Sequence, residues 1–159
     1  MSASAVALKE IVETAVDRHR GRIGALLPTL HSIQDTLGFI PLDAVPMLAQ
    51  AMSLSRAEIH GVITFYHDFR TEAPGKHVIH LCRAEACQAM GSRTLEEHVR
   101  TRLSVDFGET TTDGQFTLEP VYCLGNCACS PSIRIDDAIH ARVTPDRFDE
   151  LISSLEGAE

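Results

Sequence analysis

The sequence contains no tryptophan, and aromatic residues make up only 5% of its 159 positions. Proteins that hold single-stranded nucleic acid stack its bases on aromatic side chains, so this chain offers few such platforms. The formal net charge of −8, with no basic run to offset it, also disfavours contact with a phosphate backbone. Nucleic acid is therefore not expected among its partners.

Long apolar runs are also missing. No stretch approaches the roughly 18 consecutive apolar residues that indicate a membrane helix, so no membrane span is expected. The opening MSASAVALKE has no charged segment followed by an apolar core, and it does not resemble a signal peptide. We therefore expect a cytoplasmic, reducing location. In such a location clustered cysteines are more often metal ligands or catalytic thiols than disulfides.

Four of the five cysteines form two closely spaced pairs. Four residues separate Cys82 from Cys87, and three separate Cys123 from Cys127. Two short chelating loops brought together by a fold make a four-thiolate cage, which suits a 2Fe–2S cluster or a structural zinc. The spacing alone does not distinguish between the 2Fe–2S cluster and the zinc. Gly125 lies inside the second pair and is expected to let backbone N–H groups approach the sulfur, which would raise a cluster's reduction potential.

Other cysteine chemistries fit the sequence less well. A thioredoxin-type dithiol has two residues between its cysteines, and neither pair has that spacing. A Rieske centre would replace two cysteines by histidines, and no Cys-x-His occurs. The fifth cysteine, Cys129, is expected to be an inert buried or loop thiol. No P-loop and no GxGxxG after a strand is present, so a redox centre here indicates an electron carrier within a larger enzyme.

The first part of the chain, residues 1–72, is predicted to be a helical segment without chemistry of its own. Apolar residues recur at helical spacing, which predicts helices over 5–19, 27–37, 43–52 and 55–65. Pro28 and Pro46 fall in first turns, where proline is tolerated. Ser55 and Glu58 form a capping box at the start of the fourth helix.

Residues 73–159 are predicted to form a small α/β domain. Strands over 77–81 and 115–122 deliver Cys82 and Cys123, and a hairpin spans 132–143 around the turn at 136–138. Helices are predicted over 94–103, opened by a capping box from Thr94 to Glu97, and over 144–155, capped by Thr144. The order β-α-β-β-β-α suits a thioredoxin-like layer. If the two cysteine-bearing strands run parallel, their ends meet at one edge of the sheet, and both pairs lie there in loops.

Several motifs resemble a known family. The segment CLGNCACSP at 123–131 resembles the C-L-G-x-C-x-x-x-P signature of the thioredoxin-like 2Fe–2S ferredoxins, and 109–118, 26–34 and 61–66 are similar to the same family. The resemblance implies an α/β fold in which an N-terminal helical segment precedes a thioredoxin-like ferredoxin domain. It also implies that one 2Fe–2S cluster is bound by the four paired cysteines, which are Cys82, Cys87, Cys123 and Cys127.

The same resemblance implies a function. The family supplies the small iron–sulfur subunit of complex I, of NAD-reducing hydrogenases and of soluble molybdenum-containing, NAD-dependent formate dehydrogenases. The segment CRAEACQAMG at 82–91 is most similar to the gamma subunit of formate dehydrogenase. The implied role is an electron-transfer subunit beside an FMN- and NAD-binding flavoprotein subunit and a molybdenum-containing catalytic subunit. The alternatives are the equivalent complex I or hydrogenase subunit, and a zinc-binding scaffold without redox activity.

Overall fold

The computed structural model describes residues 3–157, and the chain divides into two compact units between Ala73 and Pro74. Each unit encloses its own cluster of buried apolar side chains. None of the helices in the described range combines the length and hydropathy that a bilayer crossing requires.

The first unit is helical, with α1 (Ala3–His19), α2 (Leu26–Leu37), α3 (Ala44–Met52) and α4 (Arg56–Phe65). Each begins and ends within two residues of its predicted bounds. The capping box is confirmed, since the Ser55 side chain accepts from the Glu58 N–H and the Glu58 carboxylate accepts from the Ser55 N–H at 2.8 Å. Apolar side chains of all four helices are buried together, among them Val12, Leu30, Ile33, Leu48 and Ile59.

The second unit carries a sheet with the strand order β2-β3-β1-β4-β5. Its strands are β1 (His77–Cys82), β2 (Glu109–Thr110), β3 (Phe116–Val121), β4 (Ile133–Ile135) and β5 (Ala138–His140). The condition set by the sequence analysis is met: β1 pairs with β3 in parallel register, which places Cys82 opposite Val121. The other neighbouring strands are antiparallel. Both cysteine-bearing strands therefore end at the same edge of the sheet.

Helices cover one face of this sheet. After β1 the chain forms α5 (Glu85–Ala89) and α6 (Ser92–Leu103), and it closes with α7 (Pro145–Glu156). Alternate strand residues such as Ile79 and Leu118 are fully buried, and their core cluster includes residues of α6 and α7 such as Val99 and Ile152. This packing of helices on the sheet confirms the predicted α/β class.

The turn of the β4–β5 hairpin is tied to the start of β1. The Asp136 carboxylate accepts a hydrogen bond from the Val78 N–H at 2.9 Å and pairs with the His77 ring at 2.7 Å. Asp136 adopts a positive φ of 51°, a conformation that aspartate tolerates better than most residues. These contacts hold β4 beside β1, and the segment leading into β4 carries part of the site described below.

Two local predictions differ from the structure. Helix α6 begins at Ser92 after Gly91, whose φ is 92°, so Thr94 lies inside the helix and the predicted Thr94–Glu97 capping box is wrong. Glycine adopts this left-handed conformation without steric penalty, so the chain can turn directly from α5 into α6. The second hairpin strand covers 138–140 rather than 139–143: a two-residue turn at 136–137 lets it begin at Ala138, and it ends at His140, opposite the first residue of β4.

Replacing a buried isoleucine of α7 tests this packing. Ile152→Ala is expected to lower the free energy of unfolding by about 2 to 5 kcal/mol, because it leaves a cavity in a filled core. Ile139→Ala in β5 is the control, since that side chain is 51% exposed and its loss is expected to cost about 1 kcal/mol or less. Anaerobic urea denaturation of the full chain, followed by circular dichroism, measures both. Equal losses would contradict the assigned packing.

Candidate metal centre

The four paired cysteines lie at the sheet edge where β1 and β3 end. Cys82 is the last residue of β1, and Cys123 follows two residues after β3. Cys127 begins a short 3-10 turn, Cys127–Cys129. Cys87 departs from the prediction, because it lies in the helix α5 and not in a loop. Five helical residues are too few for a periodicity that the sequence could reveal.

Backbone hydrogen bonds continue past the strand ends and join the two cysteine loops. The Cys82 N–H donates to the Ser132 carbonyl at 3.2 Å, and the Arg83 N–H donates to the Val121 carbonyl at 2.8 Å. The first cysteine of one loop is therefore fixed against the chain on both sides of the second loop. Such a framework places the thiols before any metal binds.

The thiols form two pairs with different exposure. The Sγ atoms of Cys123 and Cys127 are 3.8 Å apart, and both residues are exposed. A tetrahedral metal with metal–sulfur bonds of about 2.3 Å separates two thiolates by about 3.8 Å, so this pair needs no rearrangement. Cys82 and Cys87 are both buried.

The two pairs of thiols also interact electrostatically. The pKa of Cys127 is raised mainly by the neighbouring Cys123 and to a smaller extent by the charge of Cys87 in the buried pair. Within the described part of the chain, no three His, Cys, Asp or Glu side chains converge on a single ion position. The donor set is two pairs of thiols, and a 2Fe–2S cluster takes two thiolates on each of its irons. The residues present therefore fit the cluster.

The pKa values of the thiols reflect this crowding. Burial raises the pKa of Cys82 above its ordinary range. Burial acts the same way on Cys87, but hydrogen bonds from Ser130 and Cys82 outweigh it and lower the pKa of Cys87. The neighbouring Cys123 raises the pKa of Cys127. A bound metal replaces the protons of such thiols and supplies the positive charge that lets several thiolates lie together.

Backbone N–H groups point at the sulfurs. The Gly125 N–H donates to Cys123 Sγ at 3.3 Å, which confirms the expectation that this glycine brings the backbone to the sulfur. Gly125 has a φ of 74°, in the left-handed region that favours glycine. Burial raises the pKa of Cys82, and the N–H groups of Ala84 and of Leu124, which belongs to the other loop, offset part of this effect. Charge on the sulfurs is thus stabilised from both loops.

Cys123 itself has a strained backbone. Its φ is 149°, a value that side-chain-bearing residues rarely adopt and that costs on the order of 1 to 3 kcal/mol. Such strain persists only where the surrounding structure fixes the residue, and it is concentrated at functional sites. The strained residue here belongs to the closely spaced sulfur pair, which supports a functional role for that pair.

One neighbour of the thiols was not predicted from the sequence. Ser130 is buried, and its hydroxyl lies 3.4 Å from Cys87 Sγ. The two residues are 43 positions apart, so no local pattern links them. Cys129 is half-buried, and its inert character remains a prediction.

Comparison with known proteins agrees with this site. The family model for thioredoxin-like [2Fe-2S] ferredoxins matches residues 12–156. An E-type NADH-quinone oxidoreductase subunit of Rhizobium meliloti (strain 1021), the second of that type by its name, is 35% identical over 152 residues, covering 96% of this chain and 90% of the relative. The E-type subunit of the Escherichia coli (strain K12) enzyme is 31% identical over 144 residues, 91% of this chain and 87% of the relative.

Hydrogenases are also similar to this chain. The NADP-reducing hydrogenase subunit HndA of Solidesulfovibrio fructosivorans is 28% identical over 130 residues, which cover 82% of this chain and 76% of the relative. The crystal structure of an NAD+-reducing [NiFe]-hydrogenase in the H2-reduced state superposes with a TM-score of 0.72 and 26% identity. The match covers 84% of this chain but only 22% of the hydrogenase chain, so this chain corresponds to about a fifth of that one.

The parallel strands and the paired thiols at their ends define a small iron–sulfur protein. The chain belongs to the thioredoxin-like [2Fe-2S] ferredoxin family, as its motifs indicated, and it binds one 2Fe–2S cluster. It is homologous to the E-type subunits of NADH-quinone oxidoreductase and to the hydrogenase subunit HndA.

Gly125→Ala tests the contribution of the glycine between the exposed thiols. It is expected to shorten the lifetime of the cluster's visible absorption in air, because an added Cβ strains a φ of 74° beside the sulfur pair. Gly114→Ala is the matched control: its φ is 72°, no atom lies within 4 Å of the added Cβ, and it precedes β3, at the end opposite Cys123. Equal lifetimes in the two variants would show that only general strain matters.

Proposed function

We propose that Cys82, Cys87, Cys123 and Cys127 ligate the 2Fe–2S cluster, with the buried pair on one iron and the exposed pair on the other. The observation that carries this assignment is that Cys82 and Cys123 lie at the shared end of two parallel strands, with 3.8 Å between the Sγ atoms of Cys123 and Cys127. The N–H donors around the sulfurs support it, because they stabilise thiolate charge.

The proposed role is that of an electron-transfer subunit in an NAD-linked oxidoreductase. When bound, the cluster supplies one-electron chemistry, which complements a flavin that handles the two-electron hydride step at NAD. The relatives named above are subunits of NADH-quinone oxidoreductases and of a hydrogenase, which supports an FMN- and NAD-binding flavoprotein as the partner subunit. The exposure of Cys123 and Cys127 gives such a partner direct access to one side of the centre.

For the parent enzyme we propose an NAD-dependent formate dehydrogenase with a molybdenum-containing catalytic subunit. The segment 82–91, CRAEACQAMG, supports this choice through its similarity to the gamma subunit of those enzymes. Formate oxidation would take place on the molybdenum subunit, and this chain would only carry electrons. The second candidate is the equivalent subunit of complex I or of a hydrogenase, which the named relatives favour.

Serine replacements test the ligand set. Cys87→Ser and Cys123→Ser are each expected to bleach the visible iron–sulfur absorption or to shift the EPR spectrum strongly, because a thiolate ligand is lost from one iron. Cys129→Ser is the matched control and is expected to retain the cluster. Absorption, EPR and iron content of anaerobically purified protein measure the outcome.

Two results would contradict the assignment. Unchanged spectra in both ligand variants would show that other residues hold the cluster. A folded, colourless wild-type protein with zinc in place of iron would instead indicate the structural scaffold.

Purification of the native complex through a tag on this chain tests the parent enzyme. We expect a flavoprotein and a molybdenum-containing subunit to copurify, and the complex to reduce NAD with formate. Metal analysis, identification of the copurifying chains and the activity assay together decide the matter. Copurified nickel with hydrogen-dependent activity, or membrane subunits with quinone reduction, would assign the chain to the second candidate.

A further inference from the structure

Ser130 connects the two halves of the thiol site. It follows the turn Cys127–Cys129 and is only 6% exposed. Its hydroxyl lies 3.4 Å from Cys87 Sγ, in the buried pair, and 2.8 Å from the carbonyl oxygen of Cys127, in the exposed pair. The hydroxyl oxygen thus accepts from the Cys87 thiol, and the hydroxyl donates to the Cys127 carbonyl, so it contacts both sides of the site.

The direction of the hydrogen bond with Cys87 depends on whether the sulfur carries a proton or is bound to a metal. A protonated thiol can donate to the hydroxyl oxygen, and the hydroxyl is then free to donate to the Cys127 carbonyl. A metal-bound thiolate has no proton, so only the hydroxyl can donate in that contact. Hydrogen bonds to charged acceptors are stronger than those to neutral carbonyls, which favours the sulfur.

We propose that the Ser130 hydroxyl donates to the Cys87 sulfur in the assembled centre and raises the reduction potential of the 2Fe–2S cluster. The proposal rests on the ligand set given under the proposed function. Reduction adds one electron, supplied by a reduced flavin or a chemical reductant, and no proton is taken up and no bond is broken. The added negative charge spreads onto the sulfurs, so a donor there stabilises the reduced form more than the oxidised form.

Burial makes this contact more influential than those on the exposed pair. Cys87 and Ser130 are both buried, so water does not compete for the sulfur or screen its charge. The Gly125 N–H, in contrast, meets a sulfur of the exposed pair. Ser130 is also a side-chain donor, and it can be removed without altering the backbone.

The test is a redox titration of the cluster-loaded full chain, followed by visible absorption and EPR. Ser130→Ala is expected to lower the ratio of reduced to oxidised cluster at a fixed potential by roughly three- to tenfold, a downward shift of about 28 to 59 mV for one electron. Ser130→Thr keeps a hydroxyl and is expected to stay near the wild type.

Ser132→Ala is the matched control. Ser132 is also buried, but its hydroxyl bonds to the Cys129 carbonyl and the Asn126 side chain. Its loss is expected to leave the potential unchanged. An unchanged potential in Ser130→Ala, or equal shifts in both alanine variants, would overturn the proposal while the ligand set stands.

Ser130→Gly provides a second variant without the hydroxyl. If neither Ser130→Ala nor Ser130→Gly holds a cluster while Ser130→Thr does, the hydroxyl serves assembly and the proposed control of potential is wrong. A wild-type chain that contains no iron would instead refute the proposed function, and the two failures are thereby distinguished.

Discussion

The site depends on the parallel pairing of β1 with β3. This pairing brings the ends of two strands together although their cysteines, Cys82 and Cys123, are far apart in sequence. The register is as important as the direction. A slip of one residue would turn Cys82 to the opposite face of the sheet and move its sulfur away from the second loop. The packing of α6 and α7 on the buried strand residues fixes that register, so the core of the unit determines the geometry of the thiols.

The same arrangement carries an electrostatic cost, because it places ionisable thiols close together. In the proposed ligand set, four thiolates lie close together and repel each other. Burial raises the pKa of Cys82, and the neighbouring Cys123 raises the pKa of Cys127. Backbone N–H groups offset part of this cost, and a bound cation offsets the rest. With the proposed ligands the loops gain their counter-charge only on loading, so cluster binding would also stabilise the fold at this edge. The cluster is therefore part of the structure as well as its redox group.

The features that could be predicted from the sequence are those governed by neighbouring residues. The capping box at Ser55 and the helices of the first unit follow from periodicity and terminal residues. The glycine between Cys123 and Cys127 predicted a close approach of backbone to sulfur, which the structure confirms. The features that the sequence did not predict have physical reasons. Helix α5 is too short to show a helical periodicity in the sequence. Helix α6 begins directly after the turn at Gly91, so the predicted capping box lies inside the helix. The contact of Ser130 with Cys87 depends on tertiary packing.

The unequal exposure of the thiol pairs suits a one-electron carrier better than two equivalent sides would. Burial of Cys82 and Cys87 raises the cost of added negative charge, and donors on that side must compensate for it. Exposure of Cys123 and Cys127 leaves a side that a partner can approach without opening the fold. With the proposed ligand set, the protein interior would tune one side of the centre while the other side exchanged electrons. In the proposed centre a change to the interior side would shift the potential without disturbing the exposed side that a partner would approach.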